Sequence, residues 1–590
     1  MKIPAKAHRV RAIKKRQVLL RMKSPVIKQI RQYRNVFILT PVLMVISGIL
    51  ETMIPLITTH IIDDGISAGD MDAVFYWGRI MLVLAAGTLI FALLGYLASA
   101  KASSGLAANL REAVFTKIQS LSFSDLDRFG VPSLVTRTMT DVTNIQNTAQ
   151  TVLTSFFRTP VAVIYALYLT TTLNKRLSFI LFIGVLIITV FLSLIIRITV
   201  PIYQKVYREY DRLNGKIQEN VTGIRIVKSF VREKDECLSF DEPAASVRKG
   251  FIKVEKLQAL NNPVMMTALE FCFVGISWIG ARYISAGDMT TGDLAGFINY
   301  AFQIMTYIST LVLSFVQVSA SFASFARVNE VLSEEPSIRE AEDPVTSLQD
   351  NSVVFEHVSF RYGRGGGRNV LDDICLKFAP GEMIGIVGAT GSSKSSLVNL
   401  ISRLYDVTAG SVKVGGRDVR EYSMKTLSDR IAVVLQKNVL FSGTIMDNLR
   451  WGRMDAGYDD CRKACALACA DTFIEEKEKK YDEYLEQGGS NLSGGQRQRL
   501  CLARALVGKP DILILDDALS ALDNETEARI LHSLKTGMPD VTKILITQRV
   551  ASIHDADRIL VMDKGRVNGF GTHEELIKTN GIYRDLCGVS

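Results

Sequence analysis

The stretch Gly388-Ala389-Thr390-Gly391-Ser392-Ser393-Lys394-Ser395 decides the fold of the C-terminal part of this chain. It matches the phosphate-binding pattern G-x-x-x-x-G-K-[ST] except at the second glycine, where serine stands. The apolar run 383–387 before it predicts a buried strand, and the run 395–401 after it predicts a helix. A turn between such a strand and helix aims backbone N–H groups and the positive helix end at one point, which suits a polyphosphate. We expect Lys394 to contact the β- and γ-phosphates and Ser395 to ligate Mg²⁺.

The composition predicts a chain of more than one domain, with both membrane-embedded and soluble parts. Of its 590 residues 48 % are hydrophobic, and its mean hydropathy is +0.19. The net charge of +9 is concentrated before Val36, where basic residues recur and no acidic residue occurs. Because a long apolar segment follows at once, we interpret this arm as a cytoplasmic segment that lies on anionic lipid, and we expect no nucleic-acid partner.

Apolar stretches in the N-terminal half predict a membrane domain, because six of them are long enough to cross ~30 Å of hydrocarbon. They cover about 36–58, 76–99, 154–173, 177–199, 263–283 and 294–316. An even number of spans places both termini on one side of the membrane. The basic residues of the long connections 100–153 and 200–262 assign that side to the cytoplasm. Each connection has a helical pattern, with turn residues near Gly130 and Gly223 at its tip.

A change from apolar to polar sequence sets the domain boundaries. An acidic stretch with Pro336 and Pro344 separates the membrane domain from strands that begin at Val353. The predicted boundaries are 1–35 for the basic arm with an interfacial helix, 36–330 for the membrane domain, 331–352 for a linker and 353–590 for a nucleotide-binding domain.

Three charged residues lie within or at the edge of the predicted spans. Glu51 is inside the first span, Glu270 inside the fifth, and Arg158 near the inner end of the third. A carboxylate in the membrane is costly unless it faces water, a partner or a substrate. Two interpretations stay open: the glutamates line a translocation cavity that favours cations, or neighbouring helices satisfy them. We assign Arg158 to packing or headgroup contact.

The eight cysteines are scattered without the spacing of a disulfide framework, which is typical of a reducing compartment. Cys461, Cys465 and Cys469 recur every four residues and therefore share one helix face. We interpret them as small apolar core groups and not as zinc ligands, because a fourth ligand is missing.

Further polar residues follow predicted strands in the C-terminal domain. Gln436 follows the strand 431–435, Asp516 follows 512–515, and Gln548 follows 543–547. The segment Leu492-Ser493-Gly494-Gly495-Gln496 precedes a helix and predicts a second anion-binding helix start. Tyr362 stands at a strand end, where an aromatic residue by itself is more often part of the core than an adenine-stacking group.

In order and spacing these motifs resemble an ABC exporter half-transporter, with six spans fused to one ABC-type α/β P-loop ATPase domain. The resemblance extends from about residue 24 to the C-terminus and implies ATP and Mg²⁺ as cofactors. It implies that Tyr362 stacks on adenine and that Gln436, Ser395 and Asp516 hold Mg²⁺ at the nucleotide. Gln436 is also expected to have a catalytic role, because its amide can reach the attacking water and sense the γ-phosphate. It implies nucleotide contacts from the Walker A loop 388–395 and the start of the helix after it: Gly388, Thr390, Gly391, Ser392, Ser393, Lys394, Ser395 and Ser396. It also implies that two chains pair head to tail, with the signature 492–496 facing the partner's ATP and the D-loop 520–523 ending at Asp523.

Three residues depart from the family's pattern. Asp517 replaces the glutamate that polarises the attacking water, and Gln548 replaces the switch histidine. The carboxylate of Asp517 is one methylene shorter, and ~1 Å of misplacement at a reacting water can cost about a hundredfold in rate. Gln548 donates a hydrogen bond but carries no charge. Ser393 has a Cβ where the loop favours glycine, so it is expected to weaken the nucleotide fit.

The intact signature beside an impaired catalytic pair predicts a non-identical partner chain. The sequence thus resembles the degenerate-site subunit of a heterodimeric multidrug ABC exporter. We expect it to move small amphipathic compounds out of the cell by alternating access, with weak hydrolysis at its own Walker site. We place it as a multi-pass protein in a bacterial plasma membrane, with the ATPase domain in the cytoplasm. The alternatives are a lipid or peptide exporter on the same fold and an ATP-gated channel or regulatory subunit.

Overall fold

A computed structural model describes residues 25–363 and 367–588, apart from some side chains between 192 and 262. Residues 1–24, most of the predicted basic arm, lie outside the described residues. The chain divides into two compact units. The first comprises the residues up to Ile118 together with Pro132–Glu334, and the second comprises Gln119–Val131 together with the residues from Glu335 onward.

The first unit is helical. The helices up to residue 334 are α1 Pro25–Lys28, α2 Arg34–His60, α3 Met71–Ser120, α4 Phe123–Phe129, α5 Val131–Thr136, α6 Val142–Thr151, α7 Arg158–Leu173, α8 Lys175–Thr222, α9 Ile224–Ser229, α10 Glu233–Ala259, α11 Asn261–Ser285 and α12 Thr291–Ser333, of which α4 belongs to the second unit. Side-chain caps begin two of the long helices. Asn174 accepts hydrogen bonds from two backbone N–H groups at the start of α8, and Thr290 forms a capping box with Asp293 at the start of α12.

Five helical stretches among the described residues are long and apolar enough to cross a membrane. They are Pro25–Ser67, Met71–Ser120, Val131–Leu173, Pro263–Ser285 and Thr291–Ser333. They contain five of the six predicted spans; the sixth, 177–199, lies within α8, where some side chains are outside the described set, and stays a prediction. On α3 the apolar side chain of Leu82 is 69 % exposed, and those of Val83 and Leu89 are similarly open. A continuous apolar surface of this kind suits contact with lipid.

The described residues of the second unit form three sheets. Its strands are β1 Val353–Phe360, β2 Leu371–Phe378, β3 Met383–Val387, β4 Ala409–Val414, β5 Arg417–Asp418, β6 Ile431–Val434, β7 Gly443–Thr444, β8 Tyr484–Leu485, β9 Ile512–Asp516, β10 Thr542–Ile546, β11 Arg558–Asp563 and β12 Arg566–Gly571. Its further helices are α13 Lys394–Ile401, α14 Met424–Arg430, α15 Ile445–Arg450, α16 Tyr458–Leu467, α17 Asp471–Glu475, α18 Gly494–Val507, α19 Asn524–Gly537, α20 His573–Thr579 and α21 Gly581–Cys587.

The large sheet explains where polar residues meet. Its six strands have the order β12-β11-β3-β10-β9-β6, and β11, β3, β10, β9 and β6 are parallel. Every residue of β3, β9 and β10 is buried, as in a sheet covered on both faces. Because the carboxyl ends of parallel strands share one edge, the residues after β3, β6, β9 and β10 come together there.

Cys461, Cys465 and Cys469 lie in the core that covers this sheet. Cys461 and Cys465 are on α16, but this helix ends at Leu467 and Cys469 follows it with φ +50°, so the prediction that all three share one helix face is wrong. Burial raises the pKa of the Cys465 thiol to about 12. A thiol held neutral in this way behaves as a small apolar group, as the sequence predicted.

The short helix α4 marks the tip of the first long connection. Ser122 and Asp125 form a capping box at its start, and Gly130 ends it with φ +73°. The buried carboxylate of Asp125 also accepts the backbone N–H of Ser337 at 2.9 Å. The structure thus groups 119–131, which lies inside the predicted membrane-domain range, with the second unit.

Candidate active site

A cavity of about 350 Å³ lies at the carboxyl edge of the large sheet. Most of the predicted nucleotide-binding and catalytic residues line it: Thr390, Gly391, Ser393, Lys394, Ser395, Ser396, Gln436, Asp516, Asp517 and Gln548. Gly388, Ser392 and Tyr362 are not among its lining residues, and neither is the segment 492–496. Four separate strand ends therefore supply one polar cavity.

The loop before α13 is built to hold a lysine. The ammonium of Lys394 donates to the carbonyl oxygens of Gly388 at 2.8 Å and Ala389 at 3.0 Å, and to the Ser392 hydroxyl at 3.3 Å. Burial lowers the pKa of Lys394. Gly388 is required, because a Cβ there would collide with the carbonyl oxygen of Met562. An anion in this cavity would offset the cost of burying the ammonium.

Ser393 occupies a glycine-like conformation. Its φ of +73° and ψ of +24° are left-handed, and its side chain caps none of the N–H groups of α13. This conformation is unfavourable for an L residue, because it brings the Cβ too close to the following carbonyl oxygen. The expectation that serine stands at a position favouring glycine is therefore confirmed in the backbone.

The oxygen donors of the cavity suit Mg²⁺. The Ser395 hydroxyl donates to Asp516 Oδ1 at 3.0 Å, and Gln436 offers an amide oxygen nearby. Asp516 is 5 % exposed, and burial, with a further contribution from Asp517, raises its pKa. Hydroxyl, amide and carboxylate oxygens are the ligands Mg²⁺ prefers, and the bound cation would neutralise phosphate charge.

Asp517 and Gln548, the residues predicted to stand at the catalytic positions, line the same cavity. Asp517 has φ +50°, a conformation that aspartate tolerates better than most side chains, and its N–H donates to Ile546 O at 3.0 Å. Gln548, two residues after β10, is exposed. Both are polar, but neither supplies the longer carboxylate or the ionisable ring that the family places there.

The segment 492–496 forms a second helix start, outside this cavity. Ser493 caps α18 through a reciprocal pair of hydrogen bonds with Gln496, at 3.2 and 3.1 Å. Ser493 and Gly494 are exposed, while Leu492 anchors the segment in the core. An exposed, capped helix start is a surface that another molecule's phosphates can approach.

Family comparisons identify both halves of the chain. Residues 37–308 match the family described as "ABC transporter transmembrane region", and residues 371–520 match the one described as "ABC transporter". This chain belongs to the ABC transporter family. It is 34 % identical to "Uncharacterized ABC transporter ATP-binding protein YfiB" of Bacillus subtilis over 545 residues, covering 92 % of this chain and 94 % of that one.

Other relatives match the same architecture. The chain is 33 % identical to "Uncharacterized ABC transporter ATP-binding protein Rv1273c" of Mycobacterium tuberculosis, over 95 % of this chain and 97 % of that one. It also shares the fold of the "Structure of a bacterial Atm1-family ABC exporter with ATP bound", with a TM-score of 0.79 and 24 % identity over 94 % and 97 % of the two chains. The predicted fold class, a helical membrane domain fused to an ABC ATPase domain, is confirmed.

Within this ABC transporter, Tyr362 borders the Walker A helix and is not a core residue. It is 45 % exposed, and its hydroxyl lies 2.9 Å from the hydroxyl of Ser396. Its ring packs edge-on against Phe360 and Tyr405, with ring centroids 4.8 and 5.2 Å away. The aromatic contacts fix the ring and leave surface free to stack on a base.

The same aromatic cluster reaches α4. The Tyr405 hydroxyl donates to Asp127 Oδ2 at 2.6 Å, and its ring centroid lies 6.3 Å from that of Phe123. Burial and the neighbouring Asp127 raise the pKa of Tyr405, so the phenol remains a donor. A continuous set of contacts within the second unit thus joins α4 to the helix α13.

Sequence reasoning missed Arg549, which follows Gln548. Its guanidinium donates to Glu527 Oε2 at 2.8 Å and to the D-loop carbonyl oxygens of Ser520 and Leu522, at 3.2 and 3.1 Å. Glu527 is buried, whereas Arg549 is 41 % exposed. These hydrogen bonds of Arg549 fix the position of the D-loop relative to Gln548. The signal available in the sequence was a basic residue directly after Gln548.

The D-loop also packs on the signature helix. Gln498 of α18 donates to the Ser520 hydroxyl at 3.3 Å and accepts the N–H of Ala521 at 2.9 Å. Asp523 caps α19 by accepting the Thr526 N–H at 2.9 Å. Hydrogen bonds from the backbone and side chain of Thr526 lower the pKa of Asp523. The signature and the D-loop therefore form one connected surface.

In the membrane unit, Glu51 of α2 forms an ion pair with Arg158 of α7. This pairing offsets the cost of a carboxylate in the span, as in the interpretation that a neighbouring helix satisfies Glu51. The assignment of Arg158 to packing or headgroup contact is wrong, because its guanidinium pairs with this carboxylate. Gln303 Nε2 donates to the Glu51 carbonyl oxygen at 3.4 Å, whereas Gln303 Oε1 and Arg158 Nε are buried without a hydrogen-bond partner among the described residues. Glu270 of α11 is exposed. Cavity lining by Glu51 and Glu270 stays a prediction.

Proposed function

We propose that this chain is one subunit of a heterodimeric ABC exporter that uses ATP to move amphipathic compounds out of the cell by alternating access. Its own Walker site binds Mg·ATP and hydrolyses it weakly. Its exposed signature completes the ATP site of a second, non-identical half-transporter. The ATPase unit works on the cytoplasmic side of a bacterial plasma membrane.

One contrast carries this proposal. The signature 492–496 has a capped helix start, an anchored leucine and an exposed serine. The cavity of the same chain instead presents Asp517 and Gln548. A homodimer would repeat these residues in both ATP sites, so its intact signatures would serve two weak sites. Pairing with a chain that carries glutamate and histidine gives the signature a competent site to complete.

The proposed weakness has a physical cause at each position. A general base must reach the attacking water within hydrogen-bond distance, and Asp517 falls one methylene short on a backbone held at φ +50°. Gln548 orients a phosphate or water through its amide but does not become a cation. Lys394, Ser395 and Asp516 retain the groups that bind nucleotide and metal. Binding without efficient turnover follows.

Coupling to the membrane unit runs, in this proposal, through α4. The contacts from Asp127 through Tyr405 to Tyr362 give the adenine-binding region a direct connection to a segment between two spans. Changes in nucleotide occupancy at Tyr362 would then shift α4, which lies between α3 and α7 in the chain.

The heterodimer proposal is tested by comparing ATP turnover after substitution of Ser493 and of Lys394. The complex is purified from native cells through a tag on this chain, and its ATP turnover is compared in two variants. We expect Ser493→Ala to abolish turnover, because it damages the competent site, and Lys394→Ala to leave most of it. Equal loss in both variants would show two equivalent sites and refute the proposal.

Vesicle transport tests the exporter. Inside-out vesicles with the complex should accumulate a fluorescent amphipathic cation when given ATP, and vanadate should stop the uptake. ATP-dependent flux that vanadate does not affect would favour the channel. Glu270→Gln should slow uptake of the cation more than that of a neutral analogue if this residue lines the pathway.

A further inference from the structure

A mixed cluster of metal-ligating side chains lies on the antiparallel pair β1–β2, apart from the nucleotide cavity. His357 is on β1, and Asp373 and Cys375 are on β2. Their ligating atoms all lie within 4.8 Å of one another, and all three residues are exposed. None of them lines the cavity at the Walker motifs.

Two bulges bring these side chains together. Between the pairs Phe355↔Leu376 and Val358↔Ile374, β1 has one residue more than β2. Before Phe360↔Leu371, the extra residue is in β2. The residues with left-handed backbone in these bulges are His357, at φ +49°, and Asp373, at φ +51°.

The neighbouring strand is adapted to this arrangement. Gly410 of β4 has φ +81°, and a Cβ there would collide with the carbonyl oxygens of His357 and Glu356. Left-handed histidine and aspartate on facing strands are costly conformations, and such conformations are concentrated at functional sites. The two bulges compensate each other, so the register of β1 with β2 is the same on both sides of them. The pairing of β1 with β4 shifts by one residue between Glu356 and Ser359.

The distances fit a tetrahedral ion. Cys375 Sγ lies 3.5 Å from His357 Nδ1, and Nδ1 lies 2.8 Å from Asp373 Oδ1. Zinc bonds of roughly 2.3 Å to sulfur and 2.0–2.1 Å to nitrogen or oxygen, at tetrahedral angles, require ligand separations of about 3.5 and 3.3 Å. The sulfur–nitrogen pair already matches. The histidine–aspartate pair needs to open by about half an ångström, replacing a hydrogen bond with two bonds to the ion.

A further contact favours a thiolate. The backbone N–H of His357 points to Cys375 Sγ at 3.4 Å. Hydrogen bonds to a ligating sulfur stabilise its negative charge and are typical of the surroundings of metal sites. The cluster therefore offers an imidazole, a carboxylate and a supported thiolate to one point.

We propose that His357, Asp373 and Cys375 bind one Zn²⁺ ion, with water at the fourth position. Thiolate and imidazole ligands select a borderline transition ion, and they distinguish this site from the oxygen-lined Mg²⁺ site beside Asp516. The bound ion joins β1 to β2 across both bulges. Millimolar Mg²⁺ does not compete for it.

Cobalt titration of the full-length chain tests the site. The chain is purified in detergent through a tag that contains no histidine, stripped with a chelator, and titrated with Co²⁺. We expect one equivalent to bind with thiolate-to-cobalt charge-transfer absorption and the visible bands of four-coordinate cobalt, and Zn²⁺ to displace it. Cys375→Ser should remove the charge-transfer absorption, and His357→Ala should weaken binding at least about tenfold.

Matched controls separate this site from other thiols. Cys237 is also exposed, so Cys237→Ser should leave the cobalt spectrum unchanged. ATP binding by each variant reports that the ATPase unit is folded. The proposal is overturned if the wild-type chain takes up no stoichiometric Co²⁺ at micromolar concentration, or if folded Cys375→Ser and His357→Ala variants keep the same spectrum and affinity.

Discussion

Replacing Ser393 with glycine should tighten nucleotide binding. The structure holds Ser393 at φ +73°, ψ +24°, one residue before the Walker A lysine. Its hydroxyl caps none of the N–H groups of α13, so the substitution removes a Cβ without removing a cap. A bound polyphosphate requires this loop geometry, because the N–H groups at the helix start must converge on it.

The expected size follows from the backbone. A left-handed conformation costs an L residue roughly 1–2 kcal/mol. Glycine offsets roughly 0.4–1 kcal/mol of this gain, because it has more freedom than serine in conformations other than the bound one. The balance is about 1 kcal/mol in favour of the bound geometry, which corresponds to about a fivefold lower Kd for Mg·ATP.

A fluorescent ATP analogue measures this Kd in the purified chain. Ser393→Ala keeps the Cβ and should bind within about twofold of wild type. Ser392→Gly should weaken binding, because the buried Ser392 hydroxyl accepts a hydrogen bond from Lys394 at 3.3 Å. The reasoning is refuted if Ser393→Gly binds no more tightly than Ser393→Ala.

Three further predictions concern the same unit. Arg549→Ala should cost about 1.5–3 kcal/mol in the free energy of unfolding, since it leaves the buried Glu527 carboxylate without its cation; denaturant melting measures this. Asp517→Glu combined with Gln548→His should raise ATP turnover at this chain's own site by about a hundredfold in an assay of the complex in which the partner's site has been inactivated. Mg²⁺-dependent ATP binding should weaken as pH falls towards the raised pKa of Asp516, because the protonated carboxyl no longer attracts the metal.

Each of these has a control. Arg549→Lys keeps the charge and should recover part of the loss, whereas an equal loss in both variants would assign the effect to packing. Gln548→His without Asp517→Glu should gain little, and a full gain from it alone would contradict the assigned role of Asp517. Asp516→Asn should abolish the pH dependence; a dependence that persists belongs to another group. Without Mg²⁺, the same raised pKa has the opposite effect on stability. The free energy of unfolding should rise as pH falls through the pKa of Asp516, because the folded protein binds this proton more tightly than the unfolded chain does.

Much of the active site could be predicted from sequence because its residues directly follow buried strands. Apolar runs at β3, β6, β9 and β10 are recognisable by composition, and parallel strands bring their carboxyl ends to one edge. The left-handed backbone of Ser393 was also predictable, since the phosphate-binding pattern places glycine there. In each case a short stretch of sequence was enough to predict where a residue of the cavity lies.

Contacts that depend on register or on distant segments could not be predicted. Arg549 and Glu527 meet only because α19 packs beside the turn after β10. His357 and Asp373 meet because two bulges compensate each other, and alternating sequence does not reveal a bulge. Asp127 contacts Tyr405 although they are 278 residues apart. Glu51 was recognised as unusual, but its partner on another helix followed only from packing.

ATP turnover by the wild-type chain alone, reconstituted in lipid and saturated with Mg·ATP, tests the division of labour most directly. The chain should bind the nucleotide, hydrolyse it near the background rate and accumulate no amphipathic cargo until the second half-transporter is added. Brisk turnover with cargo uptake by this chain alone would contradict the account.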